Sequence, residues 1–173
     1  MLSALIRATK VSTPALPHPR TACPTESAEE GYALLGQAWR SSTPTPVLTG
    51  QDFDLVRVPA AHGRPVLDYL RRGGLRRGAV FTDHGAWHFF VPVESGLPPE
   101  MDWPEPVTYL SGQQVTIPPR GARAGDSTPL HWITREPPGQ ILTAPIPLWA
   151  ALRAAVATPP RSATVGAAHG PLA

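Results

Sequence analysis

Two aspartates separated by one residue are the first group in this sequence that could carry chemistry. Asp52 and Asp54 lie at the start of an apolar run, Phe53–Val58, that is typical of a short strand. Side chains two apart on a strand point the same way, about 6–7 Å from each other. Mg²⁺ takes one or two protein carboxylates plus substrate phosphates, so the pair could hold Mg²⁺ or Mn²⁺. The competing interpretation is that the two aspartates only solvate the end of a strand.

A histidine in the middle of a predicted strand is the second candidate. His88 lies in an alternating aromatic segment, where it is either a half-buried residue with one hydrogen bond or a functional group. His84 precedes it by four residues, but that spacing joins two zinc ligands on a helix, and here the sequence predicts a hairpin. With one cysteine, Cys23, and no third ligand nearby, the sequence argues against a zinc site.

A dense group of arginines is the third candidate. Residues 64–77 contain five arginines and one aspartate. They could follow a phosphate backbone, since the guanidinium is suited to bidentate phosphate contacts. The alternative is a solvated helix end, where the helix dipole favours cations. The candidates for nucleic-acid binding are Arg64, Arg71, Arg72, Arg76 and Arg77.

Short strands and three helices must position these residues. The helices are predicted from a capping-box spacing at Ser27, from Pro59 up to a Gly-Gly pair, and over residues 147–156. Strands are predicted at residues 46–50, 53–58, 78–82, 87–91, 107–110, 114–117 and 131–134. Two pairs of them, 78–82 with 87–91 and 107–110 with 114–117, have short Gly-containing connections that predict hairpins.

Strand alternation also predicts which side chains share a face. Asp54 falls on the face of Val56 and Val58, while His88 falls on the face of Phe90. The resulting fold class is α+β, a mostly antiparallel sheet of short hairpins with helices packed on one face. We expect one domain at residues 25–157, between flexible tails at 1–24 and 158–173.

Composition limits the classes of function. The 23 prolines and 15 glycines exclude an all-helical bundle or a parallel sheet that fills the chain. A net charge of +2 is too mild to mark a nucleic-acid binder by itself. The sequence contains no run long enough to span a membrane and no secretory signal, so we expect a cytoplasmic protein. The excess of arginine over lysine is typical of a high-G+C coding sequence.

Three segments, residues 48–70, 78–92 and 107–121, together resemble a known family. They are similar to the N-terminal domain of bifunctional DNA primase/polymerases, the prim-pol branch of the archaeo-eukaryotic primase superfamily. More narrowly, they resemble short stand-alone versions encoded in high-G+C bacteria. The likeness covers about residues 30–135. It implies a prim-pol-like fold, a nucleotidyltransferase ancestry, and DNA or nucleotide as ligand.

The resemblance also implies roles for particular residues and shows departures. Asp54 matches one metal-binding acid of the family's first motif, whereas Arg57 stands where short relatives often show a second acid. His88 matches the histidine that contacts the phosphates of the incoming nucleotide. A strand ending at Pro118 matches the end of the third motif, but the acid expected within residues 107–109 is absent. Two-metal nucleotidyl transfer needs more carboxylates than remain.

We therefore expect a prim-pol-like domain that is catalytically degenerate. It would bind nucleotide or nucleic acid through His88 and the five arginines, in replication or its regulation, with a replication or helicase protein as a further partner. Two alternatives stay open. One is a non-enzymatic interaction module that uses proline-rich segments at 44–46, 97–106 and 137–147. The other is a metal-dependent phosphoesterase that uses Asp52, Asp54 and His88.

Overall fold

A five-stranded antiparallel sheet is the centre of the fold. The computed structural model describes residues 35–36, 38–93, 97–98, 101–126, 128–134 and 140–158. The strands are β1 (Thr45–Leu48), β2 (Asp54–Pro59), β3 (Val80–Asp83), β4 (Ala86–Val91), β5 (Thr108–Leu110), β6 (Gln114–Ile117) and β7 (His131–Thr134). The helices are α1 (described at 35–36 and 38–40), α2 (Ala60–Arg72) and α3 (Pro145–Ala157). The large sheet has the order β5-β2-β4-β3-β7, and β1 pairs with β6 in a separate two-stranded sheet.

The α+β class and the antiparallel pairing are confirmed, and the predicted hairpin of β3 and β4 is present. Asp83 pairs with Ala86, so the turn consists of two residues, His84 and Gly85. Both have positive φ, 45° and 81°, as a turn that follows the twist of a hairpin requires. The predicted capping box at Ser27 and the predicted tails, Cys23 included and Thr158 excepted, lie outside the described residues.

The second predicted hairpin is wrong. β5 pairs with β2, with Leu110 opposite Leu55, whereas β6 pairs with β1, with Val115 opposite Val47. The connection between β5 and β6 does not form a hairpin turn. Its backbone forms hydrogen bonds with Thr49, which follows β1. The backbone N–H of Gly112 donates to Thr49 O at 3.1 Å. The chain therefore passes from one sheet to the other between β5 and β6, which the short connection in the sequence does not reveal.

Each face of the large sheet has its own apolar core. On one face, valines of β2 and Phe89 of β4 pack against α2 and α3. On the other face, Phe81 and Phe90 lie among residues of α1, β1 and β6. The expectation that the helices pack on one face is correct for α2 and α3 and wrong for α1. Leu35 and Ala38 of α1 are buried in the second core, so its apolar stripe faces the opposite side of the sheet.

The start of α2 is tied to the β3–β4 hairpin. The backbone N–H of Ala60 donates to the carbonyl of Gly85 at 2.9 Å. Gly63, buried in the first turns of α2, lies directly against the indole of Trp87. The helix contains 13 residues, so it extends about 20 Å from this point. No helix in the described part of the chain is long and apolar enough to cross a membrane.

Candidate functional site

The two residues that the sequence offers for catalysis lie on opposite faces of the sheet. Asp54 shares its face of β2 with Val56, on the side that α2 and α3 cover. His88 shares its face of β4 with Phe90, on the side of α1 and the small sheet. One metal ion or one substrate cannot contact both side chains. The structure therefore does not bring together the residues that a phosphoesterase or polymerase site would need.

Asp54 is held as part of the interior. It is completely buried, and the hydroxyl of Tyr109 on β5 donates a hydrogen bond to its Oδ2. Trp103 stacks on Tyr109 at 6.2 Å between ring centroids and screens this pair. Asp52, by contrast, is exposed in a bend before β2 begins, so the strand alternation assumed for the pair does not apply. Their different surroundings do not favour a shared Mg²⁺ or Mn²⁺, and the described residues contain no group of three or more potential metal ligands.

A row of side chains on the His88 face does form a surface feature. Cross-strand pairing aligns Thr108 of β5, Arg57 of β2, His88 of β4 and Phe81 of β3. The row passes from exposed Thr108 and Arg57 to buried His88 and Phe81. It follows that one end of this face is open to solvent and the other is covered by the core.

Arg57 and Thr108 line a groove of about 170 Å³ at that open end. The β3–β4 turn forms its other wall through His84 and Gly85. His84 lies next to a carboxylate, since its Nδ1 hydrogen-bonds to Asp83 Oδ1. The guanidinium of Arg57 is therefore the permanent cation of the groove among the described lining residues, and a guanidinium binds planar oxyanions in a bidentate manner.

His88 lies beside this groove rather than in its wall. Its ring stacks on Phe81 at 4.6 Å with an angle of 9° between the planes. Burial lowers the pKa of His88 from 6.5 to about 4; Asp83 raises it, and the nearby charge of Arg57 lowers it further. The imidazole is therefore neutral at pH 7. No group in the described residues hydrogen-bonds to its buried Nδ1.

The predicted arginine cluster lies on another part of the surface. α2 covers the face of the sheet opposite His88 and leads away from the β3–β4 turn, so Arg71 and Arg72 lie about 20 Å from the groove end. Arg64 and Arg76 are also exposed, and Arg77 is half-buried before β3. Within this group, Arg71 forms an ion pair with Asp68 at 3.9 Å. That pair is exposed and contributes little to stability.

Arg57 is the functional candidate that the sequence did not single out as a binding residue. The resemblance to prim-pol domains marks Arg57 only as a residue that stands where a second acid is expected. Its position in the sequence could have identified it. Alternation puts Arg57 on the same side of the chain as Leu55 of β2 and Phe53 just before that strand, and both of these are buried. A charged side chain at the end of an otherwise apolar face marks the point where that face reaches solvent.

The proline-rich segments are built into the fold in their described parts. Pro46 belongs to β1, and residues 145–147 form the first turn of α3. Loop residue Asp102 accepts a hydrogen bond through its carbonyl from Trp149 Nε1 at 2.8 Å. These contacts attach Pro46, Asp102 and residues 145–147 to the rest of the fold, whereas Pro44, Glu105 and Pro106 are exposed.

Comparison with protein-family models, with curated proteins and with solved structures found no match. The groove and the surface that surrounds it are therefore the features that bear on function. The resemblance to prim-pol domains stays a prediction.

Proposed function

We propose that this protein is a non-catalytic, prim-pol-like domain that binds nucleotide or nucleic acid, with the phosphate held at the Arg57 groove. The observation that carries the proposal is the row Thr108–Arg57–His88, in which the exposed guanidinium of Arg57 stands at the open end of this sheet face, next in the row to the buried, neutral imidazole of His88. The protein would act in the cytoplasm, in replication or its regulation, with a replication or helicase protein as a further partner.

The charge of the groove supports binding without a metal ion. Phosphoryl transfer on the family's plan needs metal ions, held by carboxylates, between the phosphate oxygens. Here Arg57 occupies the open end of the sheet and Asp54 is buried on the opposite face. A guanidinium supplies positive charge and two parallel donors directly to a phosphate. Binding through Arg57 therefore has no requirement for Mg²⁺ or Mn²⁺.

The test compares Arg57→Ala with a matched loss of charge elsewhere. We expect the full chain to bind ATP in calorimetry at low salt, equally well with EDTA or with Mg²⁺. Arg57→Ala should weaken this affinity about tenfold or more, because a bidentate hydrogen bond between charged groups contributes about 1.5–3 kcal/mol. Arg72→Ala, which removes the same charge from an exposed helix end, should change the affinity by less than about twofold.

Three results would contradict the proposal. The first is the absence of ATP and DNA binding at low salt, and the second is equal affinities for wild type and Arg57→Ala. The third is robust primer synthesis with Mg²⁺ or Mn²⁺, which would show that the domain is catalytic. A double-stranded DNA titration at increasing salt supplies a further measurement, since the slope of affinity against salt counts the phosphates contacted.

A further inference from the structure

A second basic pocket lies at the end of α1. Trp39 and Arg40, at the end of that helix, face Arg120 and Gly121 in the loop after β6, and Ser41 and Ser42 complete the lining. The pocket encloses about 460 Å³ and is wide and shallow. None of its described lining residues is acidic, and both arginines are exposed. Its charge therefore favours an anionic ligand.

The aromatic wall of this pocket is fixed from behind. Trp39 packs edge-on against Trp132, with ring centroids 5.6 Å apart and planes at 74°. Trp132 is held in turn, because its Nε1 donates to the carbonyl of Pro119 at 3.1 Å and its ring contacts Phe81. The indole of Trp39 is thus anchored to the core and loses little freedom when a ligand packs near it.

A guanidinium lies over that indole on the outer side. The Cζ of Arg120 is 5.5 Å from the ring centroid of Trp39, a cation–π contact. Guanidinium planes and aromatic rings are the groups on which proteins stack unpaired bases. Arg40 is adjacent in the chain to Trp39 and exposed, so it is available to a phosphate next to a stacked base.

We propose that Arg120, backed by Trp39, is a stacking platform for a base of single-stranded nucleic acid, with Arg40 contacting the neighbouring phosphate. This inference rests on the proposed function, because it extends the ligand from one phosphate group to a strand. Successive ring contacts from Trp39 through Trp132 and Phe81 to His88 show that the platform and the Arg57 groove belong to the same side of the large sheet. The proposal is that one strand, following the surface on this side of the sheet, contacts both.

Single-stranded nucleic acid fits this pocket better than a duplex or a free nucleotide. A duplex keeps its bases stacked on each other, so none is available to the guanidinium. A shallow pocket leaves most of a mononucleotide in solvent, whereas a strand gains a second attachment at the groove and binds with the advantage of multivalency. Stacking uses the π-face that every base has, so DNA and RNA should both bind.

The chain contains a matched control for this platform. Arg153 lies over Trp149 at 5.4 Å on α3, an arginine–tryptophan pair of nearly the same geometry on the opposite side of the sheet. The experiment measures fluorescence anisotropy of labelled 12-nucleotide oligo-dT and oligo-U with the full chain at one fixed salt concentration. The variants are Arg120→Ala, Arg120→Lys, Arg153→Ala and Arg153→Lys.

We expect both Arg120 variants to lose about fivefold or more in affinity for both oligonucleotides, since stacking on one base contributes at least that factor. Lysine retains the charge without the planar surface, so its loss separates stacking from electrostatics. Both Arg153 variants should stay within about twofold of wild type. Trp39→Leu should show the same loss as Arg120→Ala, with a thermal melt to verify that the variant is folded.

Wild-type affinity in Arg120→Lys would overturn the stacking platform, and so would equal losses in the Arg120 and Arg153 variants. Absence of oligonucleotide binding by the wild type would overturn it as well. ATP titration separates this failure from that of the proposed function. ATP binding that depends on Arg57 and is unchanged in Arg120→Ala leaves the proposed function standing, whereas absence of both ATP and DNA binding contradicts both proposals.

Discussion

Acidification should destabilise this protein through one buried imidazole. Burial lowers the pKa of His88 from 6.5 to about 4 in the folded state. In the unfolded chain the imidazole is solvated, so between pH 6.5 and pH 4 the unfolded state binds a proton that the folded state does not. The contribution of neutral His88 to stability is therefore complete above pH 6.5 and is lost as the pH falls towards 4.

The size of this loss of stability follows from how far the pKa of His88 is lowered. At about 1.4 kcal/mol per pKa unit, the free energy of unfolding should fall by about 3 kcal/mol once the pH is below 4, and by about 2 kcal/mol between pH 7 and pH 4.5. Carboxylates also change stability in this range. The contribution of His88 is therefore obtained by comparison. It is the difference, between wild type and a variant without this imidazole, in how much the free energy of unfolding falls with pH.

Urea unfolding at pH 7 and pH 4.5 measures that difference. His88→Phe retains a ring against Phe81 and cannot take up a proton, so its stability should fall by about 2 kcal/mol less than that of the wild type. Equal losses of stability in wild type and His88→Phe would refute the burial of a neutral imidazole at this position, whatever their absolute stabilities are.

Two further substitutions test how the sheet holds its neighbours. A Cβ at Gly63 would stand 2.2 Å from the indole of Trp87, so Gly63→Ala should destabilise the fold by about 1–2 kcal/mol in urea unfolding despite the higher helix propensity of alanine. The loss should disappear in the background of Trp87→Leu; its persistence there would contradict a clash with Trp87. Tyr109→Phe should lower stability by about 1.5–3 kcal/mol at pH 7, because it removes the hydroxyl that donates to buried Asp54. An unchanged thermal midpoint would rule out a structural role for this hydrogen bond.

Local patterns in the sequence predicted most of the strands and their faces. Alternation placed Asp54 opposite Arg57 and His88 with Phe90, and the structure has the same arrangement. The β3–β4 hairpin could be predicted because its turn contains a glycine between two apolar runs. The Gly-Gly pair after α2 likewise marked the end of that helix, since Gly74 takes a φ of 61°.

Pairing between distant strands could not be predicted in the same way. A short connection between β5 and β6 favours a hairpin locally, but each strand finds its partner in a different sheet. Strand propensity describes a residue's fit to a half-buried surface and does not identify the neighbouring strand. The same limit applies to the candidate site, because the three arginines of α2, Arg64, Arg71 and Arg72, are close in sequence to β2 and lie on a helix that covers the face of the sheet opposite His88.

The sequence by itself determined the α+β class and the alternation that puts Asp54 and Arg57 on opposite faces of β2, because these depend on residue type and on spacing within one element. The tertiary structure decided which of these residues meet. Cross-strand register put Arg57 beside His88, and packing of α1 put Trp39 under Arg120. Such contacts arise from the packing of whole layers, which joins residues far apart in the chain and leaves no pattern within a single segment.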